Sequence, residues 1–218
     1  GKDNTADWYP TDVTFNDLGH ATYTVNHKGE KIAQVELSIP GMHNVYNSLS
    51  AFALATCYGV ATEAIVKGIK NFTGTDRRFQ FKGQFNGVNV IDDYAHHPTE
   101  IQATINSARG TKLNKLWIMF QPHTYTRTYN HLDDFAKVLS EADHVILLDI
   151  YASREKDTGL VSSKDLRDKI EALGGVVTYC PRFNDAEKYA VDNCRKGDML
   201  ITMGAGDVYK IGEKLVSK

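Results

Sequence analysis

"VNVIDDYAHHPTEI", Val88 to Ile101, passes within a few residues from an apolar run to a cluster of titratable groups and on to a proline-led helical pattern. Val88, Val90 and Ile91 read as a short buried strand. Pro98 suits the first turn of a helix, where its missing N–H costs nothing. Between them stand Asp92, Asp93, Tyr94, His96 and His97, placed by this reading at the carboxyl end of a strand. In open α/β sheets that is the end at which ligands bind.

The same rhythm recurs downstream. "LWIMF" leads to a helix expected over 128–140, "HVILLDI" to 163–173, "VVTYC" to 184–193 and "MLITM" to 207–216, while Pro98 opens a helix over 98–108. Short apolar runs alternating with amphipathic helices are the pattern of a parallel sheet covered on both faces. With right-handed crossovers this makes residues 83–218 a Rossmann-like, doubly wound α/β domain with a mostly parallel sheet. "FNGV" at Phe85–Val88 adds an Asn-Gly hairpin signal at its start. Polar residues follow three more of these strands, in "QPHTYTRT", "DIYASREKD" and "GAGD". They gather on one edge, which we take as the working face.

Residues 1–82 read differently. "DVTFND", "ATYTVNHKGE" and "IAQVELSIPG" alternate as strands, with a tight turn at His27 to Glu30, and point to a small antiparallel sheet. Two helices follow. The first runs from Asn44 to about Tyr58, with Val45, Leu49, Phe52 and Ala53 on one face, and stops at Gly59; the second starts at Thr62, read as an N-cap, and turns Ile65, Val66 and Ile69 inward. These elements are too few to complete a domain.

Composition narrows the partners. The 25 Lys and Arg nearly balance the 27 Asp and Glu, and no basic block is interleaved with aromatics, which excludes a nucleic-acid footprint. No apolar run approaches the roughly 20 residues needed to cross a bilayer. Cys57, Cys180 and Cys194 are odd in number and form no CxxC, against both a disulfide framework and structural zinc. The expected setting is reducing and cytoplasmic, and the expected partners are small molecules.

Each polar cluster admits two readings. Asp92 and Asp93 fit either a solvated turn or a ligand-facing pair. His96 and His97 are adjacent and point apart, which makes one shared metal awkward. Arg127, in a loop with His123 and Tyr125, suits a bidentate anion contact or a surface charge. "GAGD" fits a strand-to-helix turn capped by Asp207 as well as a phosphate loop. Asn44 and Asn47 lie on one face of a helical turn and could grip a nucleobase edge with paired donors and acceptors, or Asn44 could cap the helix. Arg77 and Arg78 fit a phosphate at the joint between the two regions, or a surface salt bridge.

Taken in order, "GMHNVYNSLSA", "FTGTDRRFQ", "DDYAHHPTEI", "FQPHTYTRT" and "GAGD" resemble the Mur ligases of peptidoglycan synthesis, over nearly the whole chain from about Ala6. The resemblance implies an ATP- and Mg2+-dependent enzyme of three domains. Residues 1–82 then correspond to the end of the central ATPase domain and residues 83–218 to the C-terminal domain. Within the family the motifs are most similar to the branch that joins L-alanine to UDP-N-acetylmuramate through an acyl phosphate. A murein tripeptide ligase is the alternative within the family, disfavoured by Tyr94. A non-catalytic nucleotide-binding module and a metallohydrolase built on His96, His97 and Asp93 are alternatives outside it.

By the resemblance, Asn44 and Asn47 contact adenine, Arg78 a phosphate and Asp93 the ribose, while Tyr94, His96 and Arg127 lie near the muramate–alanine end and serve orientation and anion stabilisation. Thr124 stands where some members carry arginine, which shifts more of the anion contact to Arg127. The chain opens on Gly1 and contains neither a G-x-x-x-x-G-K-[ST] loop nor a sugar-binding domain. The expectation is therefore a C-terminal fragment, inactive alone. Magnesium ligands are expected mainly outside it, and no metal ligand is named here.

Overall fold

The structure, a computed structural model, describes residues 1–217. It divides into two compact units. The first comprises Gly1–Thr75 with Asn106–Lys112, and the second Asp76–Ile105 with the chain from Leu113 onward.

In the first unit, strands β1 (Trp8–Phe15), β2 (His20–His27) and β3 (Glu30–Pro40) form an antiparallel sheet in the order β1-β2-β3, followed by helices α1 (Met42–Cys57) and α2 (Thr62–Asn71). Alternation along the strands puts Ala21, Tyr23, Val25, Val35 and Leu37 on one buried face, packed on Val45, Leu49 and Phe52 of α1 and Ile65 of α2. Tyr23 buries its ring there and keeps its hydroxyl 2.8 Å from Ser48 Oγ. Two capping expectations are corrected. The N-cap of α1 is Gly41, at a φ of 99° that favours glycine, and Asn44 lies inside the first turn, donating to Pro40 O at 2.7 Å. Thr62 is itself the first residue of α2, and Ala61 is the N-cap.

The second unit is built on strands β4 (Gln80–Phe85), β5 (Val88–Asp93), β6 (Leu116–Phe120), β7 (His144–Leu147), β8 (Val177–Tyr179) and β9 (Met199–Met203), in the order β4-β5-β9-β6-β7-β8. Only β4 is antiparallel, joined to β5 by the hairpin expected at "FNGV", with Asn86 and Gly87 both at positive φ. The fold is thus the mostly parallel, doubly wound α/β sheet anticipated above. Strand β4 runs through the expected joint at residues 82–83.

Helices α3 (Pro98–Arg109), α5 (Leu132–Leu139) and α6 (Ser163–Ala172) follow strands that step one way across the sheet. Helices α7 (Phe183–Asn193) and α8 (Tyr209–Val216) accompany the return to β9 and the step beyond. Right-handed crossovers therefore put the two groups on opposite faces. On one face Phe120 meets Phe135 of α5 at 5.6 Å between ring centroids. On the other, Val90, Trp117, Met119, Ile146 and Leu200 pack on Ala186 and Ala190 of α7 and Ile211 and Leu215 of α8.

The single helix expected over 128–140 is instead two. A short helix α4 (Tyr125–Asn130) ends at His131, whose φ of −119° and ψ of 22° break the helical path, and α5 begins directly after it. Periodicity alone cannot see that break, because apolar spacing is nearly continuous through it.

Trp8, 6.0 Å from the Phe52 ring, reports on the first unit, and Trp117 on the second. With Trp117→Phe as background, Phe52→Ala is expected to lower the stability read at Trp8 by about 3–5 kcal/mol, the range for truncating a fully buried phenylalanine, as measured by urea unfolding.

Candidate active site

Four neighbouring strands, β5, β9, β6 and β7, end at one edge of the second unit's sheet, and their continuations carry Asp92 to His97, Gly204 to Asp207, Gln121 to Arg127, and Asp149 to Tyr151. Arg77 organises this edge. Its Nε donates to Asp92 Oδ2 at 3.0 Å, and its Nη2 donates to the carbonyls of Gly204 at 2.8 Å and Gly206 at 3.2 Å. The guanidinium lies against the rings of Tyr94 at 4.9 Å and Tyr209 at 4.5 Å. Arg77 itself and Phe79 sit at positive φ, 60° and 45°. Such conformations cost about 1–3 kcal/mol each and persist only where the surroundings over-determine them.

Strand alternation sends the two aspartates to opposite faces. Asp92, 1 % exposed, turns toward the α8 side and accepts from Thr202 Oγ1 at 2.8 Å as well as from Arg77. Asp93 turns toward α3. Its Oδ1 accepts from Ala95 N at 2.8 Å, and its Oδ2 from Phe79 N at 3.1 Å and Thr104 Oγ1 at 2.9 Å. Burial pushes the Asp93 carboxyl above the usual range, against the pull of these donors and of the Arg78 charge. Neither residue is a solvated turn.

The "GAGD" loop is committed to the protein. Gly204 N donates to Asp93 O at 3.1 Å and Asp207 N to Gln121 Oε1 at 3.1 Å, while two of its carbonyls accept from Arg77. A Cβ at Gly204 would come within 2.6 Å of Gln121 O, and one at Gly206 within 2.5 Å of Gln121 Oε1. The glycines are explained by close packing on the end of β6. The expected cap at Asp207 is corrected: α8 starts at Tyr209 after Val208, without a side-chain cap, and Asp207 pairs with Lys210 at 3.0 Å.

Outside this buried layer lie the exposed groups. Arg78, half exposed, stands 3.7 Å from Glu100 and 5.7 Å from the Tyr94 ring centre. Glu100 is partly buried, which opposes ionisation. The His96 N–H donor, and the charges of His96 and Arg78, outweigh that and hold its carboxyl below the usual range. His96 Nδ1 lies 2.9 Å from Tyr94 O, so in the neutral ring Nδ1–H donates there and Nε2 keeps the lone pair. The His96 and His123 rings are 6.0 Å apart, and Arg127 Nη1 donates to His123 Nδ1 at 3.0 Å. Tyr94, His96, His123 and Arg127 thus form one continuous row. Arg127 rides on α4, whose N-cap Thr124 (φ 64°) accepts from Arg127 N and whose Thr126 N donates to Glu155.

His97 leaves this row, with Nδ1 2.9 Å from Thr99 Oγ1 and its ring 4.7 Å from that of His131. Among the described residues no three His, Cys, Asp or Glu side chains converge on a metal position. Asn44 and Asn47 stand on α1 in the first unit, where Asn47 Nδ2 donates to Asn44 Oδ1 at 3.2 Å. Arg77's clamping role, Tyr209, Glu100, Thr104 and Gln121 were missed by reading the sequence. Nothing local distinguishes Arg77 from Arg78, and Tyr209 lies far along the chain.

The architecture and its edge define a Rossmann-like domain with polar and ionisable residues gathered beyond the carboxyl ends of the parallel strands. The sequence profile of the Mur ligase, glutamate ligase domain matches residues 77–206. The chain belongs to the Mur ligase family. It is 52 % identical over 206 residues to a UDP-N-acetylmuramate–L-alanine ligase of Lachnospira eligens, covering 94 % of this chain and 45 % of that protein. Among solved structures it is similar to the UDP-N-acetylmuramate–alanine ligase of Thermotoga maritima, with a TM-score of 0.82 and 26 % identity, covering 97 % of this chain and 45 % of that one. It is also similar to a murein peptide ligase of Psychrobacter arcticus, with a TM-score of 0.68 and 27 % identity over 99 % of this chain and 45 % of the other. The chain spans about half the length of the curated relatives it matches.

Arg77→Met is expected to destabilise the second unit by about 3–5 kcal/mol in denaturant unfolding followed at Trp117, because it leaves the Asp92 carboxylate buried without its cation. His123 supplies a pH test. Burial, then the Arg127 charge and His96, push its pKa below the ordinary value near 6.5. A depressed histidine leaves the unfolded chain binding more protons, so its contribution to stability is intact above that value and is lost as pH falls toward the folded pKa. Ring-proton NMR should show His123 titrating below a free histidine, and Arg127→Ala should move its pKa upward.

Proposed function

We propose that this chain is the C-terminal part of an ATP-dependent ligase that joins L-alanine to UDP-N-acetylmuramate in peptidoglycan synthesis. The observation that carries the reading is the 52 % identity to an enzyme of that name along almost the whole chain. In the proposed reaction the muramate carboxylate attacks the γ-phosphate of ATP and ADP leaves, giving an acyl phosphate. The alanine amine, freed of one proton, then attacks the acyl carbon, and phosphate leaves as the amide forms. Little covalent work falls to the protein, which supplies positioning and charge neutralisation.

In this reading Asn44 and Asn47 grip the adenine edge. Arg78 meets a phosphate, a role supported by its exposure and its loose pairing with Glu100, whereas Arg77 is committed to Asp92 and the glycine loop. The two oxygens of Asp93 accept three donors, which leaves one lone pair for a ribose hydroxyl. Tyr94, His96 and Arg127 orient the muramate–alanine end and stabilise its anions, with the His96 Nε2 lone pair facing away from the Tyr94 carbonyl. Magnesium accompanies ATP. Its ligands are proposed to lie mainly in the part of the relatives' length outside this chain, as the family resemblance implies. The proposed setting is the cytoplasm, and no described helix is long and apolar enough to cross a membrane.

The 218 residues alone are expected to release no alanine-dependent phosphate from ATP and UDP-N-acetylmuramate, since they contain no G-x-x-x-x-G-K-[ST] loop. Extended to the relatives' full length, the chain should do so, and Arg127→Ala in that form should lower kcat/KM about 100- to 1000-fold, as loss of one anion-stabilising donor does. Activity with a murein tripeptide in place of alanine would assign the other branch, and activity in neither form would leave a binding module.

A further inference from the structure

The proposed reaction gives no role to the loop after β7, "DIYASREKD" at Asp149–Asp157. This loop runs beside the one that carries Arg127. Tyr151 N donates to Pro122 O at 2.8 Å, Thr124 N donates to Tyr151 O at 2.9 Å, and the His123 and Tyr151 rings stack with centroids 5.7 Å apart. A turn closed by Glu155 N on Ala152 O at 3.0 Å, with Ser153 at a φ of 54°, brings Glu155 to the start of α4. There it is less exposed than Ser153, Arg154, Lys156 and Asp157 around it. Its Oε2 accepts from Thr126 N at 2.9 Å. That bond first, and with it the Thr126 hydroxyl, the Tyr125 N–H and the Thr124 hydroxyl, hold the carboxyl below its usual range. The first N–H groups of a helix have no partner within it, and a carboxylate there also meets the positive end of the helix dipole.

These bonds hold a strained cap. Thr124 is β-branched and sits at a φ of 64°, a backbone that such a residue keeps only where its surroundings over-determine it. Thr124 Oγ1 accepts from Arg127 N at 3.4 Å, and Arg127 Nη1 reaches back to His123 Nδ1 at 3.0 Å. Both ends of the Arg127–His123 contact therefore hang on the backbone at Thr124, which His123 precedes and α4 follows. We propose that the Glu155 carboxylate fixes the start of α4 and so aims the Arg127 guanidinium, which makes Glu155 a positioning residue for the anion contact. Glu155 acts through Arg127 and not on the reacting atoms. The anion contact rests on the reading given under Proposed function, whereas the hold of Glu155 on Arg127 stands without it.

Ring-proton NMR of His123 in the 218-residue chain reads that hold directly. Burial lowers the His123 pKa, and of the charges that face it Arg127 and His96 lower it further while Glu155 raises it. Loss of the Glu155 charge alone therefore lowers the pKa, whereas release of Arg127 raises it. Glu155→Gln, which keeps an acceptor oxygen, should lower it, and Glu155→Ala, which keeps none, should raise it as Arg127→Ala does. On an Arg127→Ala background Glu155→Ala should lower it instead. A fall with both Glu155 variants would leave only a charge effect, and a rise on the Arg127→Ala background would mean local opening; either result overturns the proposal. In the chain extended to the relatives' full length, Glu155→Ala should cost up to about 100-fold in kcat/KM, as a misplaced group does, and almost nothing more on top of Arg127→Ala. Glu155→Gln should keep most of the activity. Additive losses from Glu155→Ala and Arg127→Ala would also overturn the proposal. An extended chain inactive with every residue intact would remove the ligase reading, and the His123 shifts would still decide whether Glu155 holds Arg127.

Discussion

The contact between the Arg77 guanidinium and the buried Asp92 carboxylate is the constraint on which the working edge depends. A carboxylate sealed from water cannot stand without a cation and hydrogen bonds, and Asp92 finds both in Arg77 and Thr202. The same guanidinium holds two carbonyls of the loop after β9 and lies between Tyr94 and Tyr209. One side chain thereby ties the entry to β4, the end of β5 and the loop after β9. With Asp93 holding Phe79 N, it stabilises the left-handed backbone at Arg77 and Phe79 and turns Arg78 outward.

That arrangement separates the site into two layers with different physics. The inner layer, Asp92, Asp93, Thr104 and Thr202 with the partly buried Arg77, is hydrogen-bonded within the protein, and its low dielectric makes each bond expensive to remove. The outer layer, Arg78, Tyr94, His96, His123 and Arg127, keeps exposed surface and charge. His123 couples to Arg127 as an acceptor, which requires a neutral imidazole. Burial first, then the Arg127 and His96 charges, depress the His123 pKa, which agrees with that acceptor role. The first unit carries Asn44 and Asn47 on α1.

Much of this was legible in the chain. Val88–Ile101 announced a strand, a polar edge and a helix, and the Asn86-Gly87 turn, the five parallel strands and the small antiparallel sheet all followed from periodicity and turn chemistry. The misreadings share a cause. Asn44, Thr62 and Asp207 are good capping residues by type, yet Gly41, Ala61 and Val208 hold those positions, because the path of the incoming chain decides which residue stops being helical. His131 interrupts a helix whose apolar spacing continues through it.

Local pattern determined the elements of this protein, their order and the edge at which polar groups collect, since strand alternation, helical periodicity and turn preferences act over a few neighbouring residues. Only the tertiary structure decided which of two adjacent arginines clamps the sheet edge, that Asp92 and Asp93 face opposite sides of the sheet with different partners, and that "GAGD" is a packed turn. Those outcomes rest on contacts between residues far apart in sequence, such as Arg77 with Gly204 and Gly206 and Asp92 with Thr202. Burial and hydrogen-bond geometry select such partners only once the strands lie side by side.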